Sequence, residues 1–224
     1  MTYQGTVDKK CIILANGKTP KKSVITFLQK KGFSTLICAD GGANSAKKLK
    51  LIPGYIIGDL DSIKENNLSY FQNKSAIIKI DRQNDTDVEK CLKFAKYNKY
   101  KEAMLTGVTG DRLDHTFCNL GIVIKFMKRI KVRIIAENSL LAAYKGNVEL
   151  TTFPGEIISL YGFDTDTKIT SEGLKYPLNN SALPFGKRES TSNVALSNKV
   201  KLKIKNGIIF IIRDFNVMKK NNLF

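Results

Sequence analysis

Residues 34–62 of the 224-residue chain read STLICADGGANSAKKLKLIPGYIIGDLDS. The stretch contains two short apolar runs, 34–39 and 54–57, and each leads directly into a loop that carries glycine and aspartate. The segment 43–50 between them is compatible with a helix. Short apolar runs that alternate with helical segments are typical of βα units around a parallel sheet. The stretch therefore predicts two neighbouring strands whose ends carry polar loops.

The same alternation extends from this stretch in both directions, over residues 1–138. Four further strands are predicted at 11–15, 76–80, 101–106 and 131–136, and four further helices at 21–31, 63–72, 87–98 and 113–128. Two of the helix starts have capping-box spacing, Ser62-x-x-Glu65 and Thr86-x-x-Glu89. We therefore predict a first α/β domain, 1–138, with a mainly parallel, Rossmann-like sheet and flanking helices.

Helical periodicity disappears after about residue 138. Strands are predicted at 139–145, 148–153, 156–163, 166–170, 199–205 and 208–213. Because both residues of Asn206-Gly207 tolerate the positive φ of a type I′ turn, this pair predicts a hairpin between the last two strands. The polar segment 179–198 predicts a long loop. Residues 139–224 are therefore predicted to form a second, all-β domain.

Basic residues outnumber acidic ones by 37 to 20, and the formal net charge is +17. A nucleic-acid-binding protein is therefore one candidate function. However, 31 of the basic residues are lysines spread along the chain, and only 6 are arginines, which favour base and phosphate contacts. The densest lysine stretch, 199–205, alternates with apolar residues, as one solvated face of a strand does. A solvated surface explains the charge better, so we expect no nucleic-acid partner.

Hydropathy and cysteine spacing limit the location of the protein. No stretch approaches the ~18 consecutive apolar residues of a membrane helix, and the N-terminus lacks an apolar signal core. The four cysteines are far apart and form no C-x-x-C pair. We therefore expect a cytoplasmic protein with no membrane partner, no disulfide and no zinc site.

Eight of the twelve aspartates lie within the 75 residues 40–114. They follow four consecutive predicted strands, in the order Asp40; Asp59 and Asp61; Asp81, Asp85 and Asp87; and Asp111 and Asp114. Because the carboxyl ends of parallel strands meet at one edge of a sheet, we expect these carboxylates to converge. A cluster of oxygen ligands without cysteine or histidine partners suits a hard cation such as Mg²⁺.

Groups suited to phosphate lie beside these aspartates. The neighbouring glycines let main-chain amides approach a bulky anion, and Arg82, Lys90 and Arg112 offer positive charge. The pattern therefore predicts a site for Mg²⁺ and a nucleotide polyphosphate. The chain has no GxxxxGK(S/T) phosphate loop, no GxGxxG fingerprint and no GxSxG elbow, which argues against P-loop kinases, dinucleotide dehydrogenases and α/β-hydrolases.

Six segments resemble, in order and spacing, the motifs of the thiamine pyrophosphokinase family. They are ADGGAN (39–44), GDLDS (58–62), DRQNDTDVEK (81–90), LTGVTGDRLDHTFCNL (105–120), SEGLKYPL (171–178) and STSN (190–193). The resemblance spans roughly residues 11–213 and implies an N-terminal α/β domain followed by a β-sandwich that binds thiamine and mediates dimerisation. It also implies a homodimer in which thiamine lies between the α/β domain of one subunit and the sandwich of the other. The implied reaction transfers diphosphate from ATP to the hydroxyethyl group of thiamine and yields thiamine diphosphate and AMP.

The resemblance also implies roles for individual residues. Asp59, Asp61 and Asp87 would hold Mg²⁺ and the triphosphate, and together with Asp114 they would form the catalytic group. The residues implied to bind ATP are Asp40, Gly41, Gly42, Asn44, Gln83, Thr86, Lys90, Thr109 and Arg112. The residues implied to bind thiamine are Asp40, Tyr176, Ser192 and Asn193.

The chain departs from the family pattern at two positions. Tyr176 stands where the family usually has tryptophan, and Asp111 stands where it usually has a second glycine. Tyrosine stacks on a cationic ring less strongly than tryptophan, so we expect the first change to affect thiamine affinity. A related Mg²⁺-dependent diphosphotransferase or nucleotide hydrolase that acts on another small alcohol is the alternative, because the α/β half alone does not identify the acceptor. Which aspartate accepts the proton of the alcohol stays open.

Overall fold

The computed structural model describes residues 9–82, 84–110 and 112–224. The chain divides into two compact units, with the boundary between Ala136 and Glu137. Among the described residues, no helix is both long enough and apolar enough to cross a bilayer.

Within residues 9–82, 84–110 and 112–136, the first unit consists of a six-stranded parallel sheet and five helices. Its strands are β1 (Lys10–Leu14), β2 (Thr35–Ala39), β3 (Tyr55–Gly58), β4 (Ala76–Lys79), β5 (Glu102–Thr106) and β6 (Lys131–Ala136). Its helices are α1 (Lys22–Lys30), α2 (Gly42–Lys48), α3 (Glu65–Phe71), α4 (Asp87–Tyr97) and α5 (Leu113–Phe126). Each of these elements was predicted from the sequence, and the ends differ by no more than two residues. The prediction of a parallel α/β domain is therefore confirmed.

The strand order of the first sheet is β6-β5-β1-β2-β3-β4. All five pairings are parallel. From β1 the chain builds outward through β2 to β4 on one side, and then crosses to β5 on the other side. In open sheets of this kind, ligands bind outside the carboxyl ends of the strands at such a switch point. The topology therefore places the candidate site beyond the ends of β1 and β5.

The two capping-box predictions have different outcomes. Thr86 caps α4, and its hydroxyl accepts a hydrogen bond from the Glu89 amide at 3.3 Å. The prediction at Ser62 is wrong, because α3 begins after Lys64 without a side-chain cap. The Ser62 amide instead donates a hydrogen bond to a carboxylate of the candidate site. Ser62 therefore belongs to a loop of that site and not to the start of α3.

The second unit is built from antiparallel strands and one short helix. These elements are β7 (Ser139–Thr151), β8 (Ile157–Tyr161), β9 (Lys168–Glu172), β10 (Ser190–Val194), β11 (Lys199–Asp214) and α6 (Phe215–Lys220). β11 pairs with β7 along its length, with β9 through its first half and with β8 through its second half, while β10 extends the sheet beyond β8. Apolar side chains from β7, β8, β9 and β11, together with those of Leu174, Leu178, Leu183 and Ala195 outside the strands, form the core of this unit. Lys199, Lys201, Lys203 and Lys205 are exposed, which confirms the predicted solvated lysine face.

The predicted hairpin at Asn206-Gly207 is wrong. β11 runs through both residues, and its pairing with β7 shifts register between Ile204 and Ile209. Asn206 has a φ of 61°, so the left-handed conformation that suits a tight turn here forms a bulge. A Cβ on Gly207 would lie 1.8 Å from the Thr167 hydroxyl, which explains the need for glycine. The local preference of Asn206-Gly207 for a turn is overridden because β7, the partner strand, continues past these residues.

Two further predictions for this half need correction. The strands predicted at 139–145 and 148–153 form one continuous strand, β7. The predicted loop 179–198 contains β10, whose five residues are mostly polar. Both errors arise because pairing with β11 and β8 stabilises segments that carry little local strand signal.

A buried ion pair joins β11 to the end of β7 and to the residue that precedes β8. The Arg213 guanidinium donates to both carboxylate oxygens of Glu156, at 2.6 and 2.8 Å, and to the carbonyl of Thr151 at 2.8 Å. Both charged side chains are buried. Removing one charge of such a pair leaves the other without compensation in a poorly solvated place.

We expect Glu156→Gln to lower the free energy of unfolding by about 2 kcal/mol, because glutamine keeps the shape but not the charge that faces Arg213. Urea denaturation measures the change. Glu149→Gln is the matched control, since Glu149 pairs with Lys199 on the exposed face of the same unit. Its effect should stay within about 0.5 kcal/mol. Equal effects of the two variants would contradict the prediction.

Candidate active site

A cavity of about 700 Å³ opens at the carboxyl ends of β1, β2, β3 and β5. Its wall comes from the loops that follow these strands and from the first turns of α4 and α5. The loops after β1 and β5 continue side by side past the strands, since the Gly17 amide donates to the Gly107 carbonyl and the Lys18 amide to the Thr109 carbonyl. A Cβ on Gly17 would lie 2.5 Å from the Thr109 carbonyl oxygen. Glycine thus allows these two loops to form a closely packed wall.

Three aspartates from separate loops converge at this cavity. Asp40 follows β2, Asp59 follows β3 and Asp87 is the first residue of α4. One carboxylate oxygen from each lies within 4.8 Å of the other two. This spacing matches three ligands around one small cation.

Asp40 organises the loop that carries the other acidic residues. Its carboxylate accepts hydrogen bonds from the amides of Ser62 at 3.0 Å and Ile63 at 3.1 Å. Its side chain is buried, and its backbone has a φ of 38°, an uncommon conformation for a residue other than glycine. Burial raises the pKa of Asp40 to about 6, and the nearby Asp61 and Asp87 carboxylates add to the increase, although the two amides oppose it.

Lys90 lies inside the carboxylate cluster. Its ammonium is 2.9 Å from an Asp87 oxygen and 3.7 Å from an Asp59 oxygen, and its side chain is only 3% exposed. Burial alone would lower the pKa of Lys90, but Asp87 and Asp59 outweigh it, so the pKa lies above its ordinary value. Burial would likewise raise the pKa of Asp59, yet Lys90 and neighbouring hydrogen bonds hold it below its ordinary value. Asp59 and Lys90 therefore stabilise each other in their charged forms.

The cluster also fits a divalent cation. Three carboxylates and one ammonium leave a formal charge of −2. Asp59 Oδ1 is buried and has no hydrogen-bond partner among the described residues. A buried carboxylate oxygen without a donor is costly unless a cation meets it. Oxygen donors of this kind suit Mg²⁺.

The wall of the cavity also contains groups that suit phosphate. The first turns of α4 and α5 contribute to its wall, and helix N-termini favour anions. Arg112 also lines the cavity and pairs with Asp114 at 2.5 Å, and this contact lowers the pKa of Asp114 to about 2. Gly41, Thr86 and Thr109 complete this part of the wall.

Some predicted site residues lie outside this arrangement. Asp61 is exposed beside the cluster and accepts a hydrogen bond from the Ser62 hydroxyl at 2.9 Å. Gly42 packs against β1, where a Cβ would lie 2.0 Å from the Leu14 carbonyl oxygen. The Asn44 side chain bonds to the segment 62–67 rather than facing the cavity. Gln83 and Asp111 lie outside the described residues.

Of the four residues implied to bind thiamine, Asp40 belongs to the carboxylate cluster of the first unit, and the other three lie in the second unit. Tyr176 is 59% exposed, and Ser192 is exposed with a φ of 57°. Asn193 lies next to Ser192 on β10 but is buried. An exposed aromatic ring therefore stands beside a strand that bends at a left-handed residue.

Comparison with known proteins matches both halves of the chain to one family. Residues 28–136 match the family model "Thiamin pyrophosphokinase, catalytic domain", and residues 147–209 match "Thiamin pyrophosphokinase, vitamin B1 binding domain". Thiamin pyrophosphokinase 1 of Caenorhabditis elegans is 31% identical over 82% of this chain and 81% of its own length. This chain belongs to the thiamine pyrophosphokinase family. Thiamine pyrophosphokinase of Bacillus subtilis is 26% identical over 80% of this chain and 86% of its own length.

Solved structures of the thiamine pyrophosphokinase family share the fold of this chain. The yeast thiamin pyrophosphokinase superposes with a TM-score of 0.81 at 20% identity, over 95% of this chain and 88% of its own. The Bacillus subtilis enzyme superposes with a TM-score of 0.78 at 24% identity, over 92% and 99%. The predicted fold class is therefore confirmed.

Several cavity residues were missed by sequence reasoning. Asn16 and Gly17 line the cavity, and so do Glu89 and Asn119. Asn16 and Gly17 follow β1, and loops that follow parallel strands meet at the edge of the sheet where ligands bind. This position was the available signal for both residues, but the loop after β1 carries no acidic residue to indicate a site. Glu89 pairs with Lys125 of α5, and Asn119 donates to the Val108 carbonyl at 2.8 Å, contacts that only the folded chain reveals.

Proposed function

We propose that this protein is an ATP- and Mg²⁺-dependent thiamine pyrophosphokinase. It transfers diphosphate from ATP to the hydroxyethyl group of thiamine and releases AMP. The observation that carries the proposal is the Asp40, Asp59 and Asp87 cluster at the mouth of a cavity of about 700 Å³. Family membership supports the acceptor, because the second unit matches a vitamin B1 binding domain.

In the proposed reaction, the hydroxyethyl oxygen attacks the β-phosphorus in line and AMP leaves. Asp59, Asp61 and Asp87 would hold Mg²⁺, as the family resemblance implies, with Asp40 beside them. The metal neutralises charge on the phosphate oxygens when it is bound. Arg112 and the amides at the start of α4 and α5 bind phosphate oxygens, and Lys90 keeps the carboxylates in place. A carboxylate of the cluster accepts the proton of the alcohol.

The activity is tested by incubating the protein with Mg²⁺, ATP and thiamine and following the phosphorus-containing products. AMP and thiamine diphosphate in equal amounts are expected. ADP or free phosphate alone would instead indicate the alternative, a related diphosphotransferase or nucleotide hydrolase that acts on another small alcohol. Binding to nucleic acid that weakens steeply with salt, without any turnover, would favour the charge-based alternative.

We further propose that two copies associate as a homodimer, as the family resemblance implies. The second unit supports this proposal, because Ile157, Phe185 and Leu196 are large apolar side chains that are more than half exposed. Light scattering after size-exclusion chromatography measures the assembly, and a mass near 50 kDa is expected from the chain mass of 25.0 kDa. If each site takes residues from both subunits, mixing inactive Asp59→Asn and Tyr176→Ala proteins should restore part of the activity.

A further inference from the structure

Asn193 makes four hydrogen bonds within the second unit and is 1% exposed. Its Oδ1 accepts from the amides of Tyr176 at 3.1 Å and Val194 at 2.9 Å. Its Nδ2 donates to the carbonyl of Tyr176 at 2.8 Å and to the hydroxyl of Ser190 at 3.0 Å. A carboxamide offers two acceptor sites and two donor hydrogens, so this side chain is saturated. It therefore has no polar group left for a ligand.

The contact with Tyr176 replaces a rung of a β-ladder. The segment after β9 runs beside the end of β10, where the Lys175 amide donates to the Val194 carbonyl and the Leu196 amide to the Gly173 carbonyl. The pairing of β10 with β8 also shifts register between Ser190 and Asn193. Ser192, between them, is left-handed and bends the strand, so the side-chain amide of Asn193 pairs with both backbone groups of Tyr176 as a peptide group would.

Fixing the Tyr176 backbone has a consequence for the exposed ring. The phenol side chain is more than half exposed, and the Lys175 ammonium lies 5.5 Å from the ring centroid, a cation–π contact that is weak at an exposed site. The position of the ring is therefore set mainly by its own backbone. A stacking surface held in place before binding loses less entropy when a ligand arrives.

We propose that Asn193 is a positioning residue that holds Tyr176 ready to stack on the aromatic ring of the acceptor substrate. The proposal rests on the proposed function for the identity of that substrate, a cationic heteroaromatic alcohol. It gives Asn193 a role through the Tyr176 backbone instead of the direct ligand contact that the family resemblance implies. Asparagine is required because aspartate lacks the two donor hydrogens and leucine lacks all four polar contacts.

The chain contains no tryptophan, so Tyr176→Trp creates a single fluorescent reporter at this position. We expect Asn193→Asp in this background to lower the fluorescence anisotropy of the reporter and to raise the thiamine concentration for half-maximal quenching at least tenfold. In the Tyr176 protein, the same substitution should raise KM for thiamine at least tenfold while KM for ATP and kcat change less than threefold. The reason is that a carboxylate would repel the Tyr176 carbonyl that it now faces.

Asn179→Asp is the matched control, because it makes the same chemical change at an exposed position three residues from Tyr176, and it should alter none of these values. Ser190→Ala is a milder second variant that removes one acceptor without burying a charge, and it should raise KM for thiamine about threefold. If Asn193→Asp does not fold, the same measurements on Ser190→Ala test the proposal.

An unchanged anisotropy and thiamine KM in the folded variant, or equal increases of KM for thiamine and ATP, would overturn the proposal. The anisotropy arm needs no substrate, so it remains decisive even if the protein fails to make thiamine diphosphate.

Discussion

Asp59→Asn is expected to lower turnover of ATP and thiamine at least ~100-fold while the protein stays folded. Asp59 belongs to the cluster of three carboxylates, and one of its oxygens is buried without a hydrogen-bond partner in the part of the chain that the structure describes. Asparagine keeps the size of the side chain but removes the negative charge that a divalent cation requires. Steady-state kinetics at saturating Mg²⁺ measure the loss, and thermal melting checks the fold.

Asp81→Asn serves as the control for this result. Asp81 follows β4, carries the same type of side chain and pairs with Lys79 on the surface, where it is 76% exposed. Its substitution should change turnover less than twofold. Asp61→Asn is also expected to lose at least ~100-fold, since the family resemblance assigns Asp61 to the metal. Near-normal turnover in Asp59→Asn would contradict the metal assignment, and near-normal turnover in Asp61→Asn alone would limit the ligands to the three clustered residues.

Lys90→Met is expected to lower the free energy of unfolding by about 3 kcal/mol in the presence of EDTA. The ammonium is the cation between Asp59 and Asp87, and its loss leaves their charges facing each other. This loss is at the lower end of the range expected when one partner of a buried ion pair is removed, because the carboxylates of Asp59 and Asp87 are both partly exposed to water. Mg²⁺ should recover at least half of the loss, because the variant cluster would carry a formal charge of −3 and bind a divalent cation more tightly.

Urea denaturation with and without Mg²⁺ measures both quantities. Lys96→Met is the matched control, since Lys96 is an exposed residue of the same helix, and it should shift the free energy of unfolding by no more than about 0.5 kcal/mol. A Lys90→Met protein that is as stable as the wild type in EDTA would show that the ammonium does not hold the cluster together. A loss of stability that Mg²⁺ does not reduce would show that the metal does not bind among the carboxylates that Lys90 contacts.

The first unit was predictable because its signals are local and mutually consistent. Runs such as 36–39 are apolar throughout, which is typical of strands buried on both faces, and the segments between them have helical periodicity. The second unit was less predictable because β7 and β11 are long strands that bend. Asn206 reads locally as a turn, and only the continuing partner strand makes it a bulge.

The candidate site was predictable in kind but not in detail. Parallel strands deliver their loops to one edge, so the convergence of Asp40, Asp59 and Asp87 followed from topology. The sequence did not reveal that Lys90 lies among these carboxylates, because an i,i+3 neighbour of Asp87 is normally a surface residue. It also did not reveal that the Asn193 side chain pairs with both backbone groups of Tyr176, 17 residues away.

The sequence by itself determined the order of the βα units, the edge of the sheet at which the acidic loops meet and the family to which the chain belongs. These properties depend on periodicity and on short motifs, which are encoded by neighbouring residues. Only the tertiary structure decided which oxygens converge, which charge lies between them and which side chains support the site from behind. Those outcomes depend on burial and on hydrogen bonds between residues far apart in the chain, where the cost of an unpaired polar group selects one arrangement.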